Sequence, residues 1–188
     1  MNIPKQASIL HMPITKNIPL DVKNAGSWWK KFKLWKWGIS DELLVEDFYQ
    51  ELPKTCNKIL GFSIEEKVCV FIPKTFIFNG ASIPRALSPL YLPNGILYIG
   101  AFLHDFCYSF EGLIIYTEEM KELKFTKVNQ FQADNIFYEI NMEANNFKTA
   151  CKPAYIALRG FGWLVWNKCR KNENVFIKKF PEYKHLIK

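Results

Sequence analysis

The sequence lacks closely spaced cysteines, and it lacks any long apolar run. Its five cysteines are an odd number, spread from Cys56 to Cys169 without a Cys-x-x-Cys pair. A disulfide framework or a zinc knuckle has closer and even spacing, so we interpret these residues as reduced thiols, most of them buried. No run of about eighteen apolar residues occurs, which argues against a transmembrane helix.

The N-terminus also lacks the unbroken apolar stretch of a signal peptide. Pro4, Pro13 and Pro19 break any regular element there, so we expect an extended arm at residues 1–26. With neither a secretory signal nor a membrane span, the protein is expected to remain in the cytoplasm of the cell that makes it.

Apolar and aromatic residues, by contrast, are abundant. Of the 188 residues, 49% are hydrophobic and 16 are phenylalanines, which indicates one globular domain with a large core. We place that domain at residues 27–170 and expect a basic, peripheral tail at residues 171–188. The net charge of +7 is compatible with nucleic acid, an anionic membrane or an acidic protein, and does not choose among them.

A stretch of tryptophans interleaved with lysines, "SWWKKFKLWKWGIS", occupies residues 27–40. Indole rings carry an apolar body and a polar edge, so they can stack on bases or lie at a lipid interface. The alternative is an aromatic strand or turn that covers the core, with lysine stems lying over it.

Hydrophobic patterns predict an α+β fold, in which an antiparallel helix pair and a third helix pack with a small antiparallel sheet. Strands are favoured at residues 42–52 and 67–73, and a hairpin at residues 112–126. Helices are predicted at three places, residues 96–110, 131–145 and 153–171.

Two of these helices carry more detailed expectations. The apolar stripe of the second comprises Phe131, Ala133, Ile136, Phe137, Ile140 and Ala144. The third is expected to have Pro153 in its first turn and to be broken near Gly160 and Gly162.

The first helix contains a histidine and an aspartate side by side, His104 and Asp105, in an apolar run. Gly100 and Ala101 lie one turn before His104, and such small neighbours permit the close approach of a ligand or of another helix. A histidine acts as a base only when its tautomer is fixed, and Asp134 on the second helix is the candidate partner. Asp105 should point about 100° away from His104 and so be free to bind a cation.

Four motifs occur in order over roughly residues 68–166: "NGASIPR", "HDFCY", "ADNIF" and "ALRGFG". In this order they resemble the phage and prophage family catalogued as domain of unknown function thirteen fifty-three. The resemblance implies a viral or proviral origin, and therefore a place in the host cytoplasm or the virion, without implying an activity.

The His-Asp-x-x-Tyr helix, the glycine loop before it and the aspartate on a second helix also look like phospholipase A2. That resemblance implies that His104 activates water, that Asp134 orients His104, and that Tyr108 supports the Asp134 carboxylate. It implies a metal-assisted hydrolase of lipid or phospholipid esters.

The same resemblance implies a calcium ion held by Asp105 and by the carbonyl oxygens of Asn79 and Gly80, polarising the ester carbonyl. The chain departs from those enzymes because it lacks their disulfides and has a single glycine in the loop. Asn79 also replaces the aspartate common in the phage family.

A non-catalytic interpretation stands beside this one. His104 can be a core histidine bonded to Asp134, Asp105 can cap backbone amides, and Arg159 can pair with Asp134 or Glu139 rather than bind phosphate. The chain would then be a virion structural or host-interaction protein whose His/Asp cluster holds the helices together. We expect other virion proteins or an anionic lipid surface as partners, in preference to nucleic acid.

Overall fold

A computed structural model describes residues 15–17, 43–45, 47–74, 76–78, 97–145, 148–169 and 175–187. The Asn79-Gly80 loop, the Trp/Lys stretch and most of the N-terminal arm lie outside these residues. The described part contains both helices and antiparallel sheets, so the predicted α+β class is confirmed.

Two antiparallel sheets are present in the described residues. The first contains three short strands in the order β1-β2-β5, and the second contains four strands in the order β3-β4-β6-β7. The strands are β1 Thr15–Asn17, β2 Leu43–Val45, β3 Phe48–Glu51, β4 Val68–Ile72, β5 Ile77–Phe78, β6 Gly112–Thr117 and β7 Leu123–Lys127.

The central strands of the larger sheet are almost wholly apolar. Every residue of β4 is buried, and so is all of β6 except Tyr116. A strand that is buried on both faces has a continuous apolar sequence. This pattern is why β4 and β6 could be predicted as strands. The β6–β7 pairing runs from Gly112 opposite Lys127 to Tyr116 opposite Leu123, which confirms the predicted hairpin.

Five α-helices are described, and a 3-10 helix follows them at Pro181–Leu186. The helices are α1 Lys54–Leu60, α2 Tyr98–Phe110, α3 Gln130–Asn145, α4 Lys148–Cys169 and α5 Val175–Lys179. Among these, α2 is the most buried, and its Phe102 and Phe106 are fully covered. The three longest are the three helices predicted from sequence.

Helix α1 was not predicted. Its seven residues end at Leu60, and the next residue, Gly61, adopts a left-handed conformation with φ of 83°. A single turn or two gives too short a pattern for a periodicity argument, but the glycine at the C-terminal end is a usable signal. The helix packs against α3, where the side chain of Gln132 donates to the carbonyl of Ile59 at 2.9 Å.

Three expectations about α3 and α4 are wrong. Phe131 is 57% exposed instead of belonging to the buried stripe of α3. Pro153 lies inside α4, five residues after the helix begins, and α4 continues unbroken through Gly160 and Gly162. The two glycines therefore need another explanation than a helix break, and the site provides one for Gly162.

The predicted tail is not peripheral where it is described. Phe176 and Phe180 are buried, and their rings contact Phe106 and Phe110 of α2. The lysines around them, Lys178 and Lys179, are exposed. Phe176 lies on the buried side of α5, and Phe180 directly follows this helix. The exposed lysines between the two phenylalanines made the segment look basic and peripheral in the sequence.

The four cysteines whose side chains are described, Cys56, Cys69, Cys107 and Cys151, are free and buried, as expected. Among the described helices, none combines the length and the apolar character needed to cross a membrane.

Candidate active site

The candidate site lies where α2, α3 and α4 meet. Helices α2 and α3 are antiparallel, because Gly100 contacts Asn141 while Tyr108, two turns later, contacts Asp134. A Cβ atom at Gly100 would collide with the Asn141 side chain and would come within 2.7 Å of the Phe137 carbonyl oxygen. The small residues before His104 thus serve close helix packing, one of the two alternatives that the sequence left open.

The imidazole of His104 contacts the carboxylate of Asp134 inside this helix pair. Nε2 of His104 lies 3.0 Å from Oδ1 of Asp134, and the two residues are 5% and 0% exposed. The structure thus brings together the histidine and the aspartate that the sequence paired.

Asp134 accepts two further hydrogen bonds. The Tyr108 hydroxyl donates to Oδ1 at 2.8 Å, and Arg159 Nη1 donates to Oδ2 at 2.7 Å. Burial acts to raise the pKa of Asp134, but the bonds from His104, Arg159 and Tyr108 outweigh it and lower that pKa. The carboxylate is therefore ionised at neutral pH, with three donors to compensate its burial.

An ionised carboxylate only accepts hydrogen bonds, so the tautomer of His104 follows from this contact. Nε2 must carry a hydrogen, which leaves Nδ1 as the nitrogen that gains or loses a proton. This is the arrangement required of a histidine that acts as a base through Nδ1.

Asp105 lies beside the Nδ1 side of the ring. Its Oδ1 is 3.9 Å from Nδ1 of His104, too long for a hydrogen bond, and its side chain is 26% exposed. The residue is thus closer to the imidazole than its position round the helix suggested. Burial raises the pKa of Asp105, although the neighbouring His104 acts in the opposite direction.

The two carboxylates also determine how His104 titrates. Burial of the imidazole lowers its pKa, but the nearby Asp105 and Asp134 outweigh burial, so the pKa of His104 is raised above its usual value. The neutral form of His104, which alone can accept a proton, therefore becomes dominant only above a pH that is higher than the ordinary pKa of histidine.

Tyr108 connects the cluster to α4. A Cβ atom at Gly162 would lie 2.5 Å from the Tyr108 hydroxyl oxygen, so only glycine lets α4 approach this closely. The Trp166 ring, one turn further, packs edge-on against the Tyr108 ring with centroids 4.9 Å apart. Burial and the adjacent Asp134 raise the pKa of Tyr108, so its hydroxyl stays protonated and donates.

Gly162 and Asn141 are the parts of the site that the sequence did not reveal. Arg159, Gly162 and Trp166 have the spacing i, i+3, i+7, which puts them on one face of α4. This spacing was the sequence signal for the close packing of α4, because a glycine on the same face as an arginine and a tryptophan allows a neighbouring element to approach. The prediction of a helix break at Gly162 overlooked it.

A metal site is not shown by the described residues. None of their His, Cys, Asp and Glu side chains form a group of three or more that could hold a metal ion. Calcium takes six to eight oxygen ligands, and among the residues that the structure describes around His104, Asp105 is the one carboxylate with a partly exposed side chain. The other suggested ligands, Asn79 and Gly80, lie outside the described residues.

Comparison with known proteins adds a family. Neither the curated proteins nor the solved structures contain a significant match to this chain. One family model does match, over residues 58–158, and that range holds His104, Tyr108, Asp134 and the N-terminal part of α4. Because the match covers more than half of the sequence, the chain belongs to the family described as "Protein of unknown function (DUF1353)".

Proposed function

We propose that the chain is a phage- or prophage-encoded ester hydrolase in which His104 takes a proton from the attacking water. The observation that carries the proposal is the 3.0 Å contact between His104 Nε2 and the buried, ionised Asp134. It fixes the tautomer in which Nδ1 is the basic nitrogen. The viral origin and the lipid-ester substrate rest on the sequence resemblances.

The chemistry needs one proton acceptor in a fixed orientation. Water attacks the ester carbonyl carbon while one of its protons passes to Nδ1 of His104. When the tetrahedral intermediate collapses, the bond to the ester oxygen breaks and the proton on Nδ1 passes to that oxygen, giving an acid and an alcohol. Asp134 stabilises the imidazolium formed between these steps, and Tyr108 and Arg159 keep Asp134 in place.

Calcium belongs to the part of the proposal that rests on resemblance. Bound by Asp105 with carbonyl oxygens of Asn79 and Gly80, it would supply polarisation of the ester carbonyl. The described residues provide one of these three ligands, so the steps assigned above to His104 and Asp134 do not depend on the ion.

A second candidate function is favoured by a different observation. Asp134 of α3 receives donors from α2 and from α4, so the cluster links three helices. Such a link suits a virion or host-interaction protein in which His104 stabilises the fold and performs no chemistry.

Replacement of His104 separates the two candidates. In His104→Gln the side-chain amide can still donate to Asp134 but cannot act as a base, whereas His104→Ala removes both properties. We would measure hydrolysis of a soluble ester and of a phospholipid ester, with calcium or with a chelator, together with the melting temperature.

The hydrolase proposal predicts activity in the wild-type chain, no activity in either variant, and a near-normal melting temperature for His104→Gln. Calcium that raises the rate would support the ligand assignment at Asp105. Absence of hydrolysis by the wild-type chain under both conditions would contradict the hydrolase proposal and favour the structural one.

A further inference from the structure

Helix α4 presents a broad apolar face to solvent between Ile156 and Val165. Trp163 is 52% exposed and Phe161 is 68% exposed, and the neighbouring aliphatic side chains are exposed to a similar extent. At 100° per residue these positions extend round roughly half of the helix circumference. The exposed apolar side chains of this face are Ile156, Phe161, Trp163, Leu164 and Val165.

An exposed aromatic residue of α3 lies beside α4. Phe131, the residue wrongly assigned to the core, is 57% exposed, and the Arg159 guanidinium lies 5.1 Å from the centre of its ring. Contiguous exposed apolar surface of this kind marks an interaction site in proteins more often than it marks chance exposure.

The charged residues of the same segment are all basic. From Lys148 to Asn172 the sequence contains no aspartate or glutamate. Lys148 and Lys152 precede the apolar face, and the sequence places Lys168, Arg170 and Lys171 after it. Arg159, between them, is paired with Asp134.

We propose that this face of α4 binds the surface of an anionic phospholipid membrane. Aromatic and aliphatic side chains flanked by lysines and arginines are the pattern by which helices lie at a lipid interface, with apolar groups inserted and cations near the headgroups. Trp163 suits that boundary because indole combines an apolar body with an N–H donor.

The charge pattern favours a membrane over a second copy of the chain or another protein as the binding partner of this face. Two copies of the chain joined through α4 would bring their basic ends together without an acidic residue in this segment to pair with them. A protein partner would need acidic groups at both ends of this face, whereas an anionic lipid surface supplies negative charge all along it.

The inference goes beyond the proposed function, because it holds whether or not His104 is catalytic. If both are correct, membrane binding through α4 would bring the His104 cluster near lipid, because Gly162 of the same helix contacts Tyr108.

Vesicle flotation tests the proposal directly. The double substitution Phe161→Ser with Trp163→Ser removes the two most prominent aromatic side chains, both exposed, so the fold should persist. Ile64→Ser is the matched control, because Ile64 is 50% exposed in the turn after α1 and away from α4. The vesicles contain either phosphatidylcholine alone or a mixture with phosphatidylglycerol.

We expect the wild-type chain and Ile64→Ser to float with the phosphatidylglycerol vesicles at low salt and to bind phosphatidylcholine alone much more weakly. The double variant should bind at least about tenfold more weakly than wild type. Failure of the wild-type chain to bind anionic vesicles would overturn the proposal. Equal binding of anionic vesicles by the double variant and the wild type would also overturn it. A third contradicting result would be a wild-type dimer that the double substitution converts to a monomer while vesicle binding stays unchanged.

Discussion

His104 and Asp134 are joined across two antiparallel helices, with Nε2 of the imidazole 3.0 Å from Oδ1 of the carboxylate. Because Tyr108 and Arg159 donate to the same carboxylate, the pair is one unit rather than an isolated contact. Any role of His104 as a base depends on this unit, and so does much of the packing of α2 against α3 and α4.

The pKa of His104 should depend on the two neighbouring carboxylates, Asp105 and Asp134. Burial lowers its pKa and the two carboxylates raise it, with a net increase. Asp134→Asn and Asp105→Asn should therefore each lower the pKa of His104, which proton NMR of the imidazole measures. An unchanged pKa in both variants would contradict the placement of the carboxylates.

The same shift predicts how stability depends on pH. A raised folded-state pKa means that the stabilisation from His104 is complete below its unfolded value of about 6.5, and is lost as the pH rises through the folded value. Urea denaturation of the wild-type chain should therefore show falling stability across that window. In His104→Gln the decline should be smaller, since the titrating group is absent.

Removal of the Asp134 carboxylate should destabilise the fold strongly. Asp134→Ala leaves the buried imidazole and the Tyr108 hydroxyl without their acceptor, so we expect a loss of about 3–5 kcal/mol in the free energy of unfolding. Glu119→Ala, in the exposed turn of the β6–β7 hairpin, is the control and should change it by less than about 0.5 kcal/mol. Similar small effects of both substitutions in urea denaturation would argue against a structural role for the cluster.

The two glycines of α4 should respond in opposite directions to alanine. A Cβ atom at Gly160 meets nothing within 4 Å, so Gly160→Ala should stabilise the helix by about 0.5–1 kcal/mol. Gly162→Ala places a methyl group against the Tyr108 hydroxyl and should destabilise the fold by about 1–3 kcal/mol. Thermal melts of the two variants provide the comparison, and equal shifts would contradict the close approach of α4 to α2.

The C-terminal segment should contribute to stability in spite of its basic composition. Phe180 is fully buried, so Phe180→Ala should cost about 3–5 kcal/mol. Ile187→Ala, 37% exposed in the same segment, should cost much less. If both substitutions proved equally mild in urea denaturation, the segment would not be part of the core.

The sequence was sufficient for the elements with strong patterns. The buried strands β4 and β6 and helix α2 are apolar runs whose lengths distinguish strand from helix. The pairing of His104 with Asp134 was also predictable, since each residue borders an apolar stripe and adjacent helices commonly pack antiparallel.

The rest depended on contacts between elements that are distant in sequence. Gly162 was predicted to break the helix. The contact that requires a glycine there is with Tyr108, which is fifty-four residues away in the sequence. Phe131 was assigned to the buried stripe, but at 100° per residue it lies about 160° round α3 from Ala133 and so faces solvent. Helix α1 was too short to show periodicity, and the lysines around Phe176 and Phe180 concealed the apolar side of that segment.

The most direct test of the central claim is the pH dependence of kcat/KM for ester hydrolysis, compared with the pKa of His104 measured by NMR in the same free protein. If Nδ1 of His104 is the base, kcat/KM should rise with pH and level off with its midpoint at that pKa, and His104→Gln should have no such phase. Hydrolysis whose midpoint is unrelated to the titration of His104, or no hydrolysis at any pH, would contradict the account.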